Sequence, residues 1–246
     1  MALIGILPCA GAGTRLGVPF AKELMPLPSS DGVIHVCDLS IRSMLQAGIT
    51  RLVVVASHKK IEIVRYIESK YGRETRCETA FQSHFPSTGS SPGLFQAIAE
   101  GCRLAGPNDT LLLALPDVVI APTDVLAELV GKLDATVDAV AGVFSVLDCR
   151  ELAPVLTDQE GRITQVLDKP DTSPVSNTWG CLAWNSRTTQ DILTQREANP
   201  DLAIGAWLNG ALSRGVKMRA VEFPQATFHD LGTPARWTNY LRQSLL

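Results

Sequence analysis

The first fifteen residues constrain this chain more than any other stretch. Leu3-Ile4-Gly5-Ile6-Leu7-Pro8 is a short apolar run that reads as a buried first strand. It empties into Cys9-Ala10-Gly11-Ala12-Gly13-Thr14-Arg15, a loop of small residues that ends in a cation, with Lys22 a turn beyond. Glycines at 11 and 13 allow positive φ and close backbone approach, so several N–H groups can face one anion. Arg15 adds a planar fork for phosphate oxygens and Lys22 a mobile point charge. The chemistry implied is polyphosphate binding at the carboxyl end of strand one.

Two familiar phosphate loops do not fit. A Walker loop needs Lys-Ser or Lys-Thr directly after its glycine, and Gly13 is followed by Thr14-Arg15. The dinucleotide fingerprint places its third glycine three positions after the second and then runs into an unbroken helix. Here Gly17 comes one position late, and Pro19, Pro26 and Pro28 interrupt any helix. The acidic residue expected at the end of strand two is replaced by Ser57, which counts against a nicotinamide dehydrogenase.

Composition narrows the remaining classes. At 246 residues, one generous α/β domain over 1–246 is expected, with a nucleotide-binding half to about 135 and an acceptor half from about 136. A net charge of −3 leaves no electrostatic footprint for nucleic acid, so no DNA or RNA partner is expected. The six cysteines are scattered singly, without Cys-x-x-Cys pairs, which argues against a disulfide framework or zinc site and fits a reducing cytoplasm. Residues 2–7 are too short for a membrane span and lack a basic lead, so neither signal peptide nor membrane attachment is expected.

Along the chain, β and α patterns alternate. Helices are predicted over 33–47, 61–71, 93–104 and from Pro122 to Leu133; strands over 51–57, 78–82 and 109–115. Residues 84–91, rich in Ser, Pro and Gly, read as a mobile loop, and Ser91-Pro92 as the opening of the third helix. The second half is more strand-like, over 137–146, 155–157, 163–167 and 179–184, with helices at 188–197, 202–213 and 234–245. The fold class expected is α/β, a Rossmann-like, doubly wound, mostly parallel sheet that binds ligands at the carboxyl ends of its strands.

Two carboxylates stand out. Asp117 follows an apolar strand, where a carboxylate is costly unless it faces a cleft mouth or a cation. Asp230 lies in Phe228-His229-Asp230-Leu231-Gly232-Thr233-Pro234, just before a helix. Read alone, either could be a cap, and Asp168-Lys169 a solvated pair closing a hairpin.

The ordered set is more specific. Gly-x-Gly-Thr-Arg followed by Lys resembles the opening signature of the sugar-phosphate nucleotidyltransferase family. Gln82 with Gly93-Leu94-Phe95-Gln96-Ala97, Val166-Leu167-Asp168-Lys169-Pro170, Trp179-Gly180 and Asp230-Leu231-Gly232-Thr233-Pro234 match later family motifs in order. The resemblance implies a GT-A-like fold and a transferase that moves a nucleoside monophosphate from an NTP to a sugar 1-phosphate, in nucleotide-sugar biosynthesis. It implies that Ala10, Gly11, Gly13, Thr14, Gln82, Gly93 and Asp117 bind nucleotide, with Gln82 reading the base. Arg15 and Lys22 act on the NTP phosphates and Lys169 on the sugar phosphate. Asp168 and Gly180 lie at the sugar, and Asp117 and Asp230 together hold Mg²⁺.

Departures bear on the sugar. Pro116 stands where many relatives have Gly, Asp168 replaces the commoner Glu, Pro154 lies near a place where some thymidylyltransferases have a glycine, and Leu182 replaces an aromatic. The spacing from Arg15 to Lys22 resembles uridylyl- and cytidylyltransferases, whereas the Asp230 motif leans toward thymidylyltransferases, so the base stays open. No acyltransferase or β-helix extension is expected. A cytidylyltransferase acting on a phosphorylated alcohol or polyol, and a silent nucleotide-binding regulator, are the alternatives. The oligomeric state is open, with a homo-oligomer compatible.

Overall fold

The computed structural model describes residues 2–11, 13, 16–18, 20–29, 32–82 and 93–244. Thr14, Arg15, the expected loop at 84–91 and Ser91-Pro92 lie outside the described residues. The first strand, β1, covers Leu3–Pro8, and β2 (Pro26–Ser29) pairs antiparallel with β3 (Gly32–His35) as a hairpin. There follow α1 (Val36–Gln46), β4 (Arg51–Ala56), α2 (Ile61–Tyr71), β5 (Arg76–Phe81), α3 (Leu94–Cys102), β6 (Thr110–Ala114), β7 (Val118–Ala121) and α4 (Val125–Gly131). The second half holds β8 (Ala139–Ser145), β9 (Val155–Thr157), β10 (Ile163–Val166), β11 (Asn177–Trp184), α5 (Ser186–Ala198) and α6 (Ile204–Ser213). It closes with β12 (Met218–Glu222), β13 (Thr227–Asp230) and α7 (Pro234–Ser244).

The central sheet has the order β12-β8-β11-β6-β1-β4-β5. Every pairing in it is parallel except those of β11, which runs antiparallel to both β6 and β8. The sheet is therefore mixed but mostly parallel, an α/β architecture. Its central strands are unbroken apolar runs because both faces are covered. Side-chain alternation divides their residues between two cores. Ile4 and Ile6 of β1 join Val53, Leu111, Leu113, Phe95 and Trp184 on one face. Leu7, Val54 and Leu112 join Ile41, Met44 and Ile67 on the other. Each large side chain buried this way contributes about 1.5–3 kcal/mol. Gly5 sits under α1, where an added Cβ would come 2.9 Å from the Met44 sulfur, so the helix lies close on the strand.

Three expectations need correction. The apolar periodicity from residue 33 does not begin a helix there: Val33 lies in the β2–β3 hairpin, and α1 begins at Val36. The His35 N–H donates to Asp38 (2.8 Å), which satisfies the helix entry. The helix expected from Pro122 begins at Val125: β7, paired with β13, runs to Ala121, and residues 122–124 form a turn before the helix. Edge strand β12 was not predicted; it mixes Arg219 and Glu222 with apolar residues, pairs with β8, and on its outer side makes only an isolated bridge from Arg219 to Arg162. All six cysteines carry free thiols. Among the described residues no helix is long and apolar enough to cross a membrane.

Candidate active site

A cavity of about 290 Å³ opens where β1, β5 and β6 end. Its first wall comes from Pro8 and Gly11 after β1, Lys22, Gln82 after β5, Gly93 and Leu94 opening α3, and Leu115-Pro116-Asp117 after β6. Its second wall comes from Leu152, Asp168, Lys169, Thr178, Trp179, Phe228 and Asp230. Crossing a mostly parallel sheet at its carboxyl edge leaves such a crevice between successive strand–helix connections.

On the first wall, Gly11 lines the cavity, with the buried Ala10 just before it. Gly13 takes φ +68, a left-handed conformation that favours glycine. A Cβ there would lie 3.5 Å from Lys22 Cγ, so the loop packs along the lysine stem. Lys22 begins a short 3-10 turn, Lys22–Leu24, and its Nζ donates to Asp117 Oδ2. Gln82 is fully buried, and neither amide atom has a hydrogen-bond partner among the described residues. A buried amide left unpaired is costly, which marks the position as one that a ligand could complete. At Gly93 a Cβ would meet Gln96 Oε1 at 2.3 Å; the Gln96 amide is anchored by donating to Pro200 O (2.8 Å) and Leu202 O (2.9 Å).

The second wall is assembled from the β9–β10 hairpin, the long-range pair of β7 with β13, and Thr178 and Trp179 of the central strand β11. Asp230 ends β13, whose register against β7 sets it opposite Val118, and the Leu231 N–H donates to Asp117 O (2.9 Å). The two carboxylates, remote in sequence, thus line one cavity. Asp230 Oδ1 accepts from the Gly232 N–H (2.7 Å), and Oδ2 accepts from Arg236 Nη1. Lys169 follows β10 with φ +46, the only non-glycine residue in the left-handed region among those described. Its N–H is tied to Leu152 O (3.0 Å). Such a conformation costs on the order of 1–3 kcal/mol and persists where surrounding structure enforces it. Asp168 packs on Gly205 of α6, where a Cβ would come 3.1 Å from its own Cβ.

Gly180, expected at the sugar, does not line the cavity. It backs the wall: a Cβ there would come 2.5 Å from the Phe228 ring, and Phe228 is the residue that lines the cavity. Sequence reasoning named Trp179 and Phe228 only as neighbours of Gly180 and Asp230 and gave them no role, and it missed Arg236, whose place in the helix just after Asp230 was available as a signal. Past Asp230 and Arg236 lies a second concavity of about 610 Å³, which shares Leu152, Phe228 and Asp230 with the first. His229 borders it, and burial lowers its imidazole pKa.

Asp117 and Asp230 offer only oxygen donors, and no group of three or more His, Cys, Asp or Glu among the described residues could hold a metal. Two carboxylates fit Mg²⁺, which is usually held by one or two carboxylates and completes its shell with water and substrate phosphate.

The architecture is that of an α/β protein with a charged cavity at the carboxyl edge of its sheet. The nucleotidyl transferase family profile matches residues 4–244, and the chain belongs to that family. Solved structures share the fold. One is a provisionally assigned glucose-1-phosphate thymidylyltransferase from Bacillus anthracis, with TM-score 0.82 and 18% identity over 99% of this chain and 95% of that one. A UTP-bound UGPase from Acinetobacter baumannii gives 0.75 and 17% over 99% and 93%. The inositol-1-phosphate CTP transferase from T. maritima gives 0.76 and 17% over 100% and 96%. Among curated proteins no sequence matches.

Proposed function

We propose that this nucleotidyltransferase moves a nucleoside monophosphate from an NTP to a sugar 1-phosphate and releases pyrophosphate. The observation that carries the reading is that Lys22, Asp117, Lys169 and Asp230, drawn from both halves of the chain, line one cavity. The acceptor phosphate oxygen is already anionic near neutral pH, so its in-line attack on the α-phosphorus requires no strong base. The difficulty is bringing two polyanions together, and catalysis is then mainly positioning and charge neutralisation.

In this reading the first wall takes the nucleotide. Backbone N–H groups around Ala10, Gly11, Gly13 and Thr14, with Arg15, hold the departing β- and γ-phosphates. Lys22 neutralises the α-phosphate. Gln82 pairs with the base, supported by its two unpartnered amide atoms, while Gly93 admits the nucleoside. The second wall takes the acceptor: Lys169 meets its phosphate and Asp168 a hydroxyl. Gly180 serves by seating Phe228 rather than by touching the sugar. Asp117 and Asp230 would hold Mg²⁺, which when bound supplies neutralisation of phosphate charge.

A matrix of ATP, CTP, GTP, UTP and dTTP against glucose 1-phosphate, mannose 1-phosphate and inositol 1-phosphate tests this, with pyrophosphate release as readout and EDTA as control. At least one sugar 1-phosphate should give EDTA-sensitive release. Release with inositol 1-phosphate alone would reassign the acceptor to a polyol, and nucleotide binding without release in any well would leave a silent regulator.

A further inference from the structure

Behind the first wall lies a buried ion pair that the proposed chemistry does not use. Glu23 is fully buried and Lys60, just before α2, is 7% exposed. The Lys60 ammonium donates to Glu23 Oε1 and Oε2 (2.9 Å each) and to the carbonyl of Cys9 (3.1 Å), so its three protons have three acceptors. Cys9 is the residue from which the glycine loop departs β1. Glu23 is the immediate neighbour of Lys22 in the same 3-10 turn. Successive residues of that turn face opposite ways: Glu23 into the interior, Lys22 into the cavity.

The stretch 10–21 between these two feet contains no β-strand or α-helix among its described residues. We propose that Lys60 and Glu23 are positioning residues, a buried clamp that ties the start of the glycine loop to the turn that aims Lys22. This rests on the reading that Lys22 acts on the transferring phosphate. Burial pushes the Glu23 carboxyl up and the Lys60 charge pulls it back, as expected of a pair removed from water. A pair of this kind is poor evidence for stability, because desolvation offsets most of the Coulomb gain. What it supplies is a fixed direction, and near a reacting centre a misplacement of about 1 Å can cost about 10²-fold in rate.

The test exploits that distinction. Replacing both partners by apolar groups of similar size, Glu23→Leu with Lys60→Met, removes the clamp without stranding a charge. The urea midpoint should stay near wild type. With the most active nucleotide–acceptor pair of the matrix above, kcat should fall about 10²-fold, with KM for the acceptor little changed. In a Lys22→Ala background the same double replacement should lower kcat no further, since its effect passes through Lys22. Should the double variant fail to fold, Glu23→Gln keeps volume and an acceptor, and its kcat should still fall. Wild-type kcat in the clamp variants, or a loss that adds fully to that of Lys22→Ala, would overturn the clamp while leaving the proposed function standing. Wild-type kcat in Lys22→Ala itself would overturn the role of Lys22 and the clamp with it.

Discussion

The two walls of the cavity are built by different means. The first stands on the ends of parallel strands whose flanks are locked by buried charge. Besides the Glu23–Lys60 pair, Asp38 is fully buried in α1 and accepts from the His35 N–H, Tyr66 Oη, Tyr71 Oη and Lys70 Nζ at 2.6–2.9 Å. Apart from Thr178 and Trp179 of the central strand β11, the second wall hangs on short antiparallel pairs, β9 with β10 and β7 with β13, and on one backbone residue held out of its preferred region, Lys169. Several charges there are paired at the surface, as in Arg150–Asp148 and Arg162–Glu160. Exposed pairs of that kind contribute little. In the proposed reading the first wall holds a fixed chemistry, while the peripheral strand pairs and loops of the second can change shape to suit an acceptor without disturbing the sheet.

This contrast can be broken or sharpened by mutation. The largest effect is expected for Asp117→Asn, where Mg²⁺-dependent pyrophosphate release should drop by about 10³-fold or more with the circular dichroism spectrum unchanged; wild-type release would remove Asp117 from the chemistry. Lys22→Ala and Arg15→Ala should each cost about 10²–10³-fold in kcat, as the loss of a preorganised charged donor commonly does. On the second wall the expected effects fall on the acceptor. Gly180→Ala forces a methyl group into the Phe228 ring; it should lower stability by about 1–3 kcal/mol and raise KM for the acceptor, leaving KM for the NTP unchanged. Lys169→Gly should weaken acceptor binding and yet raise the melting temperature, relieving about 1 kcal/mol of backbone strain. Unchanged acceptor binding with a lower melting temperature would mean that Lys169 is held there for packing alone.

A smaller effect, seen only against pH, belongs to the first wall. Burial raises the Asp38 carboxyl pKa, but its donors outweigh burial and hold it below the usual carboxylate range. A carboxyl depressed in the folded state stabilises fully above its unfolded pKa, near 3.9, and that contribution is lost as pH falls through the folded value. Asp38→Asn should therefore be less stable than wild type at neutral pH, and the gap in urea midpoints should close as pH drops below about 4. A gap independent of pH would assign the cost to lost packing.

Much of the first wall was legible in sequence because its signals are local. An apolar run followed by glycines and a lysine specifies strand, turn and cation within a few residues, and Asp117 directly follows an apolar strand. The second wall was legible only as motif order. Nothing near Gly180 in sequence announces that Phe228 occupies the space beside it, because that contact spans forty-eight positions. Strand β7 escaped because its partner β13 lies in the last quarter of the chain, and Pro122 beyond it read as a helix start. The Glu23–Lys60 clamp was equally invisible: its two charged residues lie 37 positions apart and neither falls in a motif.

The central claim is that the two walls bring a nucleotide and a phosphorylated acceptor together so that one phosphoryl bond is exchanged for another. Following the α-phosphate tests it most directly. With NTP radiolabelled at the α-phosphate, label should pass into a nucleotide-sugar product only when acceptor and Mg²⁺ are both present, and a parallel γ-label should leave as pyrophosphate. Label that remains in bound, intact NTP with every acceptor in the matrix would contradict the account.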